Sequence, residues 1–289
     1  MGGTSIPTWS DADVKVIMNQ FIAPTHPRET IEPIAVTTPE EGWPITGLIR
    51  LIGRALGPRS IFGPGGAGWP DDSWWKLSGL FDLDYEHSIQ AGVADLETAM
   101  AKYGNDDLVY GYSQGAMIAI REKRKLAEQY PARTTAPDID SVLSEDPNLP
   151  NGGLLARFPG FYIPILAIWF NGAEPTDTQF DTFVITRQYD GLADFPLYPL
   201  NPVADLNAVL GVVVPVRRQP GVRSVDIAAY PESARRHHQL LLRDPGPAVV
   251  RSTAHPGRAR AVHRCCRAVL VELGVMTAAS RHGNPPRRG

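Results

Sequence analysis

Hydrophobic and polar positions along this chain switch repeatedly between a helical and an extended pattern. Asp11 to Phe21 sets Val14, Ile17, Met18 and Phe21 on one face, with Ser10 in position to cap a helix. Ile34-Ala35-Val36 predicts a short buried strand, and the leucines and isoleucines of Gly47 to Leu56 have helical spacing. A loop rich in glycine, proline and tryptophan follows from Gly63 to Trp75. Tyr85 to Tyr103 predicts a helix, because Ile89, Val93, Leu96 and Met100 recur at steps of three and four. Leu108-Val109-Tyr110 predicts a strand that runs into Gly111-Tyr112-Ser113-Gln114-Gly115, and a second helix spans Ala116 to Tyr130, where Pro131 stops it. The unbroken apolar run from Tyr162 to Phe170 predicts a strand buried on both faces, and Phe183 to Tyr189 another that ends at Asp190. Strands alternating with helices imply an α/β fold, a three-layer sandwich around a mainly parallel sheet.

The pattern lapses after about residue 212. All lysines lie before residue 126, whereas arginines crowd the segment after residue 206. Val216 to Arg260 follows neither period and carries many turn residues. The expected organisation is therefore one α/β domain over 1–212 and an irregular, arginine-rich, disordered tail over 213–289.

A net charge of −3 and a pI near 6.2 argue against nucleic acid as a partner. No apolar run has the length of a transmembrane segment. Met1-Gly2-Gly3-Thr4-Ser5 has the features of neither a signal peptide nor a lipid anchor, so the chain as written is expected to be cytoplasmic. The two cysteines, Cys265 and Cys266, are adjacent, a spacing that suits neither a disulfide nor a zinc site, and no metal or cofactor is expected.

Gly111-x-Ser113-x-Gly115 carries the chemistry. A strand-to-helix turn this sharp strains the serine backbone and leaves no room for a Cβ at the flanking positions. It lifts the Ser113 hydroxyl above the sheet edge and aims the first helical amides, that of Gln114 included, at a developing oxyanion. A serine needs a histidine to take its proton, and the histidine needs a carboxylate. In this fold the chain order is serine, acid, histidine. Asp190 stands at the C-terminal end of a predicted strand, where catalytic groups gather in open α/β sheets, and Asp194 is an alternative in the same loop. Asp146, before Pro147, reads as a turn cap. His26 and His87 precede Ser113, out of order. His237, His238, His255, His263 and His282 follow the acid, but none occupies a recognisable strand-to-loop setting, and each reads as a surface residue.

From Gly2 to about Gly211 the chain resembles the PE-PPE domain of mycobacterial proteins, a cutinase-like serine hydrolase family. The resemblance rests on the stretches that begin at Met18, Ser60, Trp74, Gly111, Asp146 and Arg187. They read Met-Asn-Gln-Phe-Ile-Ala-Pro-Thr-His, Ser-Ile-Phe-Gly-Pro-Gly-Gly, Trp-Trp-Lys-Leu-Ser-Gly-Leu-Phe-Asp, Gly-Tyr-Ser-Gln-Gly, Asp-Pro-Asn-Leu-Pro-Asn-Gly-Gly and Arg-Gln-Tyr-Asp-Gly-Leu-Ala-Asp-Phe-Pro. It implies hydrolysis of a small-molecule or lipid carboxylic ester, or acyl transfer among cell-envelope lipids, through Ser113 and an acid in the Asp190 loop. It also implies that Gly2-Gly3-Thr4 is the loop after the family's first strand, with Thr4 a second oxyanion donor and the strand itself missing. Family members carry an N-terminal PE or PPE module and act at the envelope; no such module is recognised here.

The tail departs from the family in an intelligible way. Shifted by one base, codons for His263 to Val269 can read Ile-Asp-Val-Val-Glu-Pro. At the same offset, those for Pro231 to Leu242 can read Gln-Ser-Gln-His-Gly-Asp-Thr-Thr-Ser-Tyr-Tyr-Phe. Both products resemble the family's C-terminal region, which implies a frameshift near Val212 to Val216 and makes His237 and His238 products of the shifted frame.

Overall fold

The computed structural model describes residues 1–27, 29–56, 78–104, 107–187, 190–196, 201, 204, 205, 208, 225–226 and 237–242. The glycine-rich loop of Gly63 to Trp75 lies outside them.

Ser10 caps α1 (Asp11–Ile17), its hydroxyl accepting the Asp13 amide at 3.2 Å. The helix runs on through a π-helical turn, Met18–Ile22, to Thr25. It is followed by α2 (Ile45–Leu56), α3 (Tyr85–Tyr103) and α4 (Gln114–Gln129). The strands are β1 (Asp107–Tyr112), β2 (Ile139–Ser144), β3 (Tyr162–Ile163), β4 (Ile168–Trp169), β5 (Thr182–Arg187), β6 (Val225–Asp226) and β7 (His237–Leu242). The main sheet has the order β1-β2-β5-β7-β6, with β1, β2, β5 and β7 parallel and β6 antiparallel to β7.

Successive side chains of each central strand serve opposite layers, as the two-residue period requires. Val109, Leu143 and Val184 meet Ile89 and Leu96 of α3 and Ile118 and Ile120 of α4. Val142 and Ile185, with Leu108, Tyr110 and Phe183, meet Ile17 and Ile22 of the α1 segment. The chain is thus an α/β protein with helices on both faces of a mainly parallel sheet, as its sequence pattern predicts.

Four differences from the sequence pattern have physical causes. Ile34-Ala35-Val36 is not a strand; Ile34 is exposed, and only Val36 packs on the core. The run Tyr162 to Phe170 is not one buried strand. Pro164 withholds an amide, Ala167 takes φ +50°, and the run folds back on itself as the antiparallel hairpin β3–β4. The central strand β2 is missing from the prediction because Asp140, Ser141 and Ser144 dilute its apolar character. Those side chains have uses inside the fold: Asp140 faces His26, and the Ser144 hydroxyl bonds that of Tyr110 at 2.7 Å. Finally, β6 and β7 fall inside the segment read as irregular. The three consecutive leucines Leu240, Leu241 and Leu242 are the kind of run a parallel strand accepts. The remainder of 213–289, Cys265 and Cys266 included, lies outside the described residues.

Glu40 gives this layer a pH dependence. It is fully buried at φ +49°, and burial raises its carboxyl from 4.5 to about 8, while the Thr38 hydroxyl and the Met1 ammonium pull the other way. The native state therefore binds a proton that the unfolded chain has lost, and this group's contribution to stability falls as pH climbs from about 4.5 towards 8. The Met1 ammonium is lowered from 8.0 to about 6, chiefly by burial, so its contribution rises between those values and offsets Glu40 there. Glu40→Gln is expected to stabilise the protein by roughly 3 kcal/mol near pH 7 and by almost nothing near pH 4, measured by urea unfolding at both values.

Candidate active site

β1 ends at Tyr112, and Ser113 turns the chain into α4 at φ +54°, ψ −107°, a conformation that an L-residue holds only when its surroundings impose it. Those surroundings are backbone. The Ser113 amide donates to the Ser144 carbonyl at 3.0 Å, and its carbonyl accepts from Ala116 and Met117. A Cβ on Gly111 would lie 2.5 Å from the Gly115 oxygen, and one on Gly115 would collide with the Gly2 oxygen. The glycines are there because strand, helix and N-terminal loop cross in van der Waals contact. Ser113 itself is half-buried, and its hydroxyl takes no hydrogen bond among the described residues.

Thr4, Ser113 and Gln114 come together. The Gly115 amide bonds the Gly2 carbonyl at 2.9 Å, which ties the N-terminal loop to the first turn of α4. The loop passes so close that a Cβ on Gly3 would lie 3.1 Å from the Ser113 Cβ. The Thr4 hydroxyl donates to Gln114 Oε1 at 2.9 Å and lies 2.7 Å from the Tyr85 hydroxyl. Gln114 Nε2 donates to the Glu41 carbonyl and to Ser88 Oγ, so its buried side chain is spent on structure. The Thr4 hydroxyl is occupied in the same network. Burial, and after it the charge of Glu40, pushes the Tyr85 phenol up to about 12 even though Thr4 pulls it down, so it remains a neutral anchor for that network.

Asp190 follows β5, and its Oδ1 accepts the amides of Leu192 and Ala193, each at 2.8 Å, while its carbonyl accepts the Asp194 amide. Burial, then Glu145, then Asp190 raise the Tyr112 phenol well above its usual range, which puts both carboxylates in electrostatic reach of the residue before Ser113. Glu145 was missed in the sequence because the strand it terminates, β2, was missed. It stands at φ +51°, directly after the residue whose carbonyl holds the Ser113 amide, and hydrogen-bonds Tyr112. Asp146 caps a turn, with its Oδ1 accepting the Asn148 amide at 2.8 Å.

The described histidines are not assembled with Ser113. His26 is buried at the opposite end of the sheet, its Nε2 3.4 Å from Asp140 and its ring against Phe183. His237 and His238 open β7 in register with Thr182 and Phe183, so they too lie at the N-terminal end of the parallel strands. Five residues of strand separate His237 from the end where Asp190 follows β5, a span of roughly 17 Å. His87 lies near the site in the first turn of α3, but its ring is largely exposed and bonds Asp84 at 2.8 Å. His255, His263 and His282 lie outside the described residues. A cavity of about 560 Å³ opens along the outer edge of β1, between Ile17 and Ile22 on one side and Leu96 and Met100 on the other; Ser113 does not line it.

A parallel α/β sheet whose strand-to-helix elbow carries a strained serine is the architecture of the α/β-hydrolases. The PE-PPE domain family matches residues 58–235, more than half of the chain, and the chain belongs to that family. It is similar to the Esterase PE16 of Mycobacterium tuberculosis, 48% identical over 139 residues that cover 47% of this chain and 26% of that protein. It is also similar to the PE family protein PE3, 41% identical over 160 residues (53% of this chain, 34% of that protein). The SL1278 acyltransferase Chp1 is 33% identical over 138 residues (47% and 33%); both proteins are from the same species. The chain spans about a quarter to a third of the length of these relatives. No solved structure matches it.

Proposed function

We propose that the chain is a serine esterase-type domain in which Ser113 attacks the carbonyl of a carboxylic ester. The observation that carries this is the serine at φ +54° between β1 and α4, with the Thr4 loop and the amide of Gln114 beside it. Attack by Ser113 Oγ moves the carbonyl electrons onto oxygen, and the amides of Gln114 and Thr4 stabilise that charge. Collapse expels the alcohol and leaves an acyl-serine. Water then regenerates the serine and releases the acid; an alcohol acceptor gives acyl transfer instead, the chemistry in the name of Chp1. Asp190 is the proposed acid, with Asp194 in the same loop as its alternative, and a histidine would carry the proton between them.

A second reading is favoured by one observation, the distance of His26, His237 and His238 from Ser113. On it the chain is a non-catalytic remnant whose C-terminal third was rewritten by a frameshift. Loss of the histidine removes several powers of ten in rate and leaves the residual effect of the oxyanion hole. Turnover of 4-nitrophenyl butyrate separates the two. The esterase reading predicts hydrolysis that falls at least a hundredfold in Ser113→Ala; folded protein with equal rates in both forms favours the remnant. Sequencing the coding DNA tests the frameshift itself, which requires a one-base offset that restores a family-like tail.

A further inference from the structure

Leu154 to Asn171 contains no carboxylate and a single cation, Arg157. That guanidinium donates to the Asn151 and Phe195 carbonyls. The rest of the segment is almost wholly apolar and folds as the β3–β4 hairpin. Its roots are fixed in the core by Leu155 and Phe170, both buried, and the Gly160 and Phe170 amides extend the ladder to the Phe170 and Phe161 carbonyls, each at 2.9 Å. Phe158 and Phe161 stand edge-on to Phe170, and the Tyr162 and Trp169 rings stack 4.4 Å apart. On this frame the hairpin presents Phe158 (42% exposed), Phe161 (55%), Trp169 (46%) and, at its turn, Ile165 (74%).

We propose that this hairpin seats the protein on a lipid surface, with Ile165 at its leading tip and the Tyr162–Trp169 pair at the level of the headgroups. The register puts Phe161 with Phe170 on one face of the hairpin and Trp169 with Tyr162 on the other, so exposed apolar side chains flank Ile165 on both sides of the tip instead of forming one flat protein interface. Ile165 stands at the apex of a turn, and the segment brings no carboxylate that must be desolvated or that repels lipid phosphate. Tryptophan and tyrosine at the base suit a boundary that is apolar on one side and wet on the other. The hairpin is already ordered, so seating it costs little conformational entropy.

The consequence for the site is direct. The Leu154 amide bonds the Leu192 carbonyl at 2.8 Å, and the Phe195 amide bonds the Gly152 carbonyl at 2.7 Å, so the loop that carries Asp190 rests on the root of the hairpin. A protein seated this way holds the Asp190 loop next to the lipid. The docking itself does not depend on Ser113 being a nucleophile.

The test is flotation of the full chain with phosphatidylcholine vesicles, read together with tryptophan emission. The wild type and Ser113→Ala should float with the vesicles and shift their emission to the blue, and Trp169→Phe should lose most of that shift. Ile165→Asp and Phe161→Gln, checked for an unchanged circular dichroism spectrum, should bind at least tenfold more weakly, and Tyr103→Asp, on the exposed face of α3, should bind like the wild type. Flotation that Ile165→Asp leaves intact, or none in the wild type, overturns the proposal. So does a dimer, seen by sedimentation, that Ile165→Asp dissociates, because the face would then serve a second copy of the chain.

Discussion

Gly111→Ala is expected to cost about 3 kcal/mol or more, enough to unfold a domain of ordinary stability or to lower its Tm by many degrees. The change adds one methyl group, yet that group would lie 2.5 Å from the Gly115 oxygen, 2.7 Å from its carbonyl carbon and 2.8 Å from the Ala116 nitrogen. None of these is the far end of a flexible side chain that could swing away. They are the first turn of α4, which is pinned in turn by the bond from the Gly115 amide to the Gly2 carbonyl. Relief therefore requires β1 and α4 to separate, and that exposes Val109 and Ile118 together. Gly115→Ala should behave similarly, since its Cβ would meet the Gly2 oxygen and lie 3.0 Å from the Met1 oxygen. Thermal unfolding followed by circular dichroism reads both; a loss under about 1 kcal/mol would mean that the elbow is looser than its geometry implies.

Lys123→Met is expected to cost about 3–5 kcal/mol near neutral pH, because it removes the cation from a buried cluster and leaves the acids behind. Lys123 Nζ donates to Thr182 Oγ1 at 2.7 Å and lies 3.5 Å from Glu174 Oε2, and both charged side chains are almost fully buried. Asp146 shares the cluster: burial and the charge of Glu174 push its carboxyl well above the usual range, while Lys123 and Arg124 pull it down. The lysine is itself lowered by burial, with Glu174 and Asp146 opposing. Mild acid should shrink the deficit, since Asp146, whose carboxyl is already raised, takes up a proton and so relieves its repulsion with the unpaired Glu174. The double variant Lys123→Met/Glu174→Gln should recover much of the loss, because replacing a buried ion pair costs far less than breaking one. A double-mutant cycle in urea measures this directly.

What could be foreseen from sequence divides along physical lines. Helices α3 and α4 and the elbow between β1 and α4 announce themselves through unbroken local periodicity and through glycines that only close backbone contact explains. The family resemblance adds Thr4, and the Thr4–Gln114 bond brings that residue to the elbow across 110 positions of chain. β2 is the opposite case. Its polar side chains are tolerated because Tyr110 and His26 wait for them on other elements, information that no window of sequence contains. Glu145 was lost with it. The hairpin misleads for a related reason: an apolar run looks the same whether it is buried in a sheet or turned outward by a proline and a left-handed alanine. His237 and His238 can be ruled out as partners of Ser113 only from strand register, which sets them at the wrong end of the sheet.

If the elbow activates Ser113 as proposed, that one hydroxyl is more reactive than every other serine in the chain. Incubation of the folded protein with a fluorophosphonate, followed by tandem mass spectrometry of the digested adduct, tests it most directly. One phosphonyl group is expected, on Ser113, and none in Ser113→Ala or after denaturation in urea. Modification spread over several serines, or protein that stays folded and unlabelled, would contradict it.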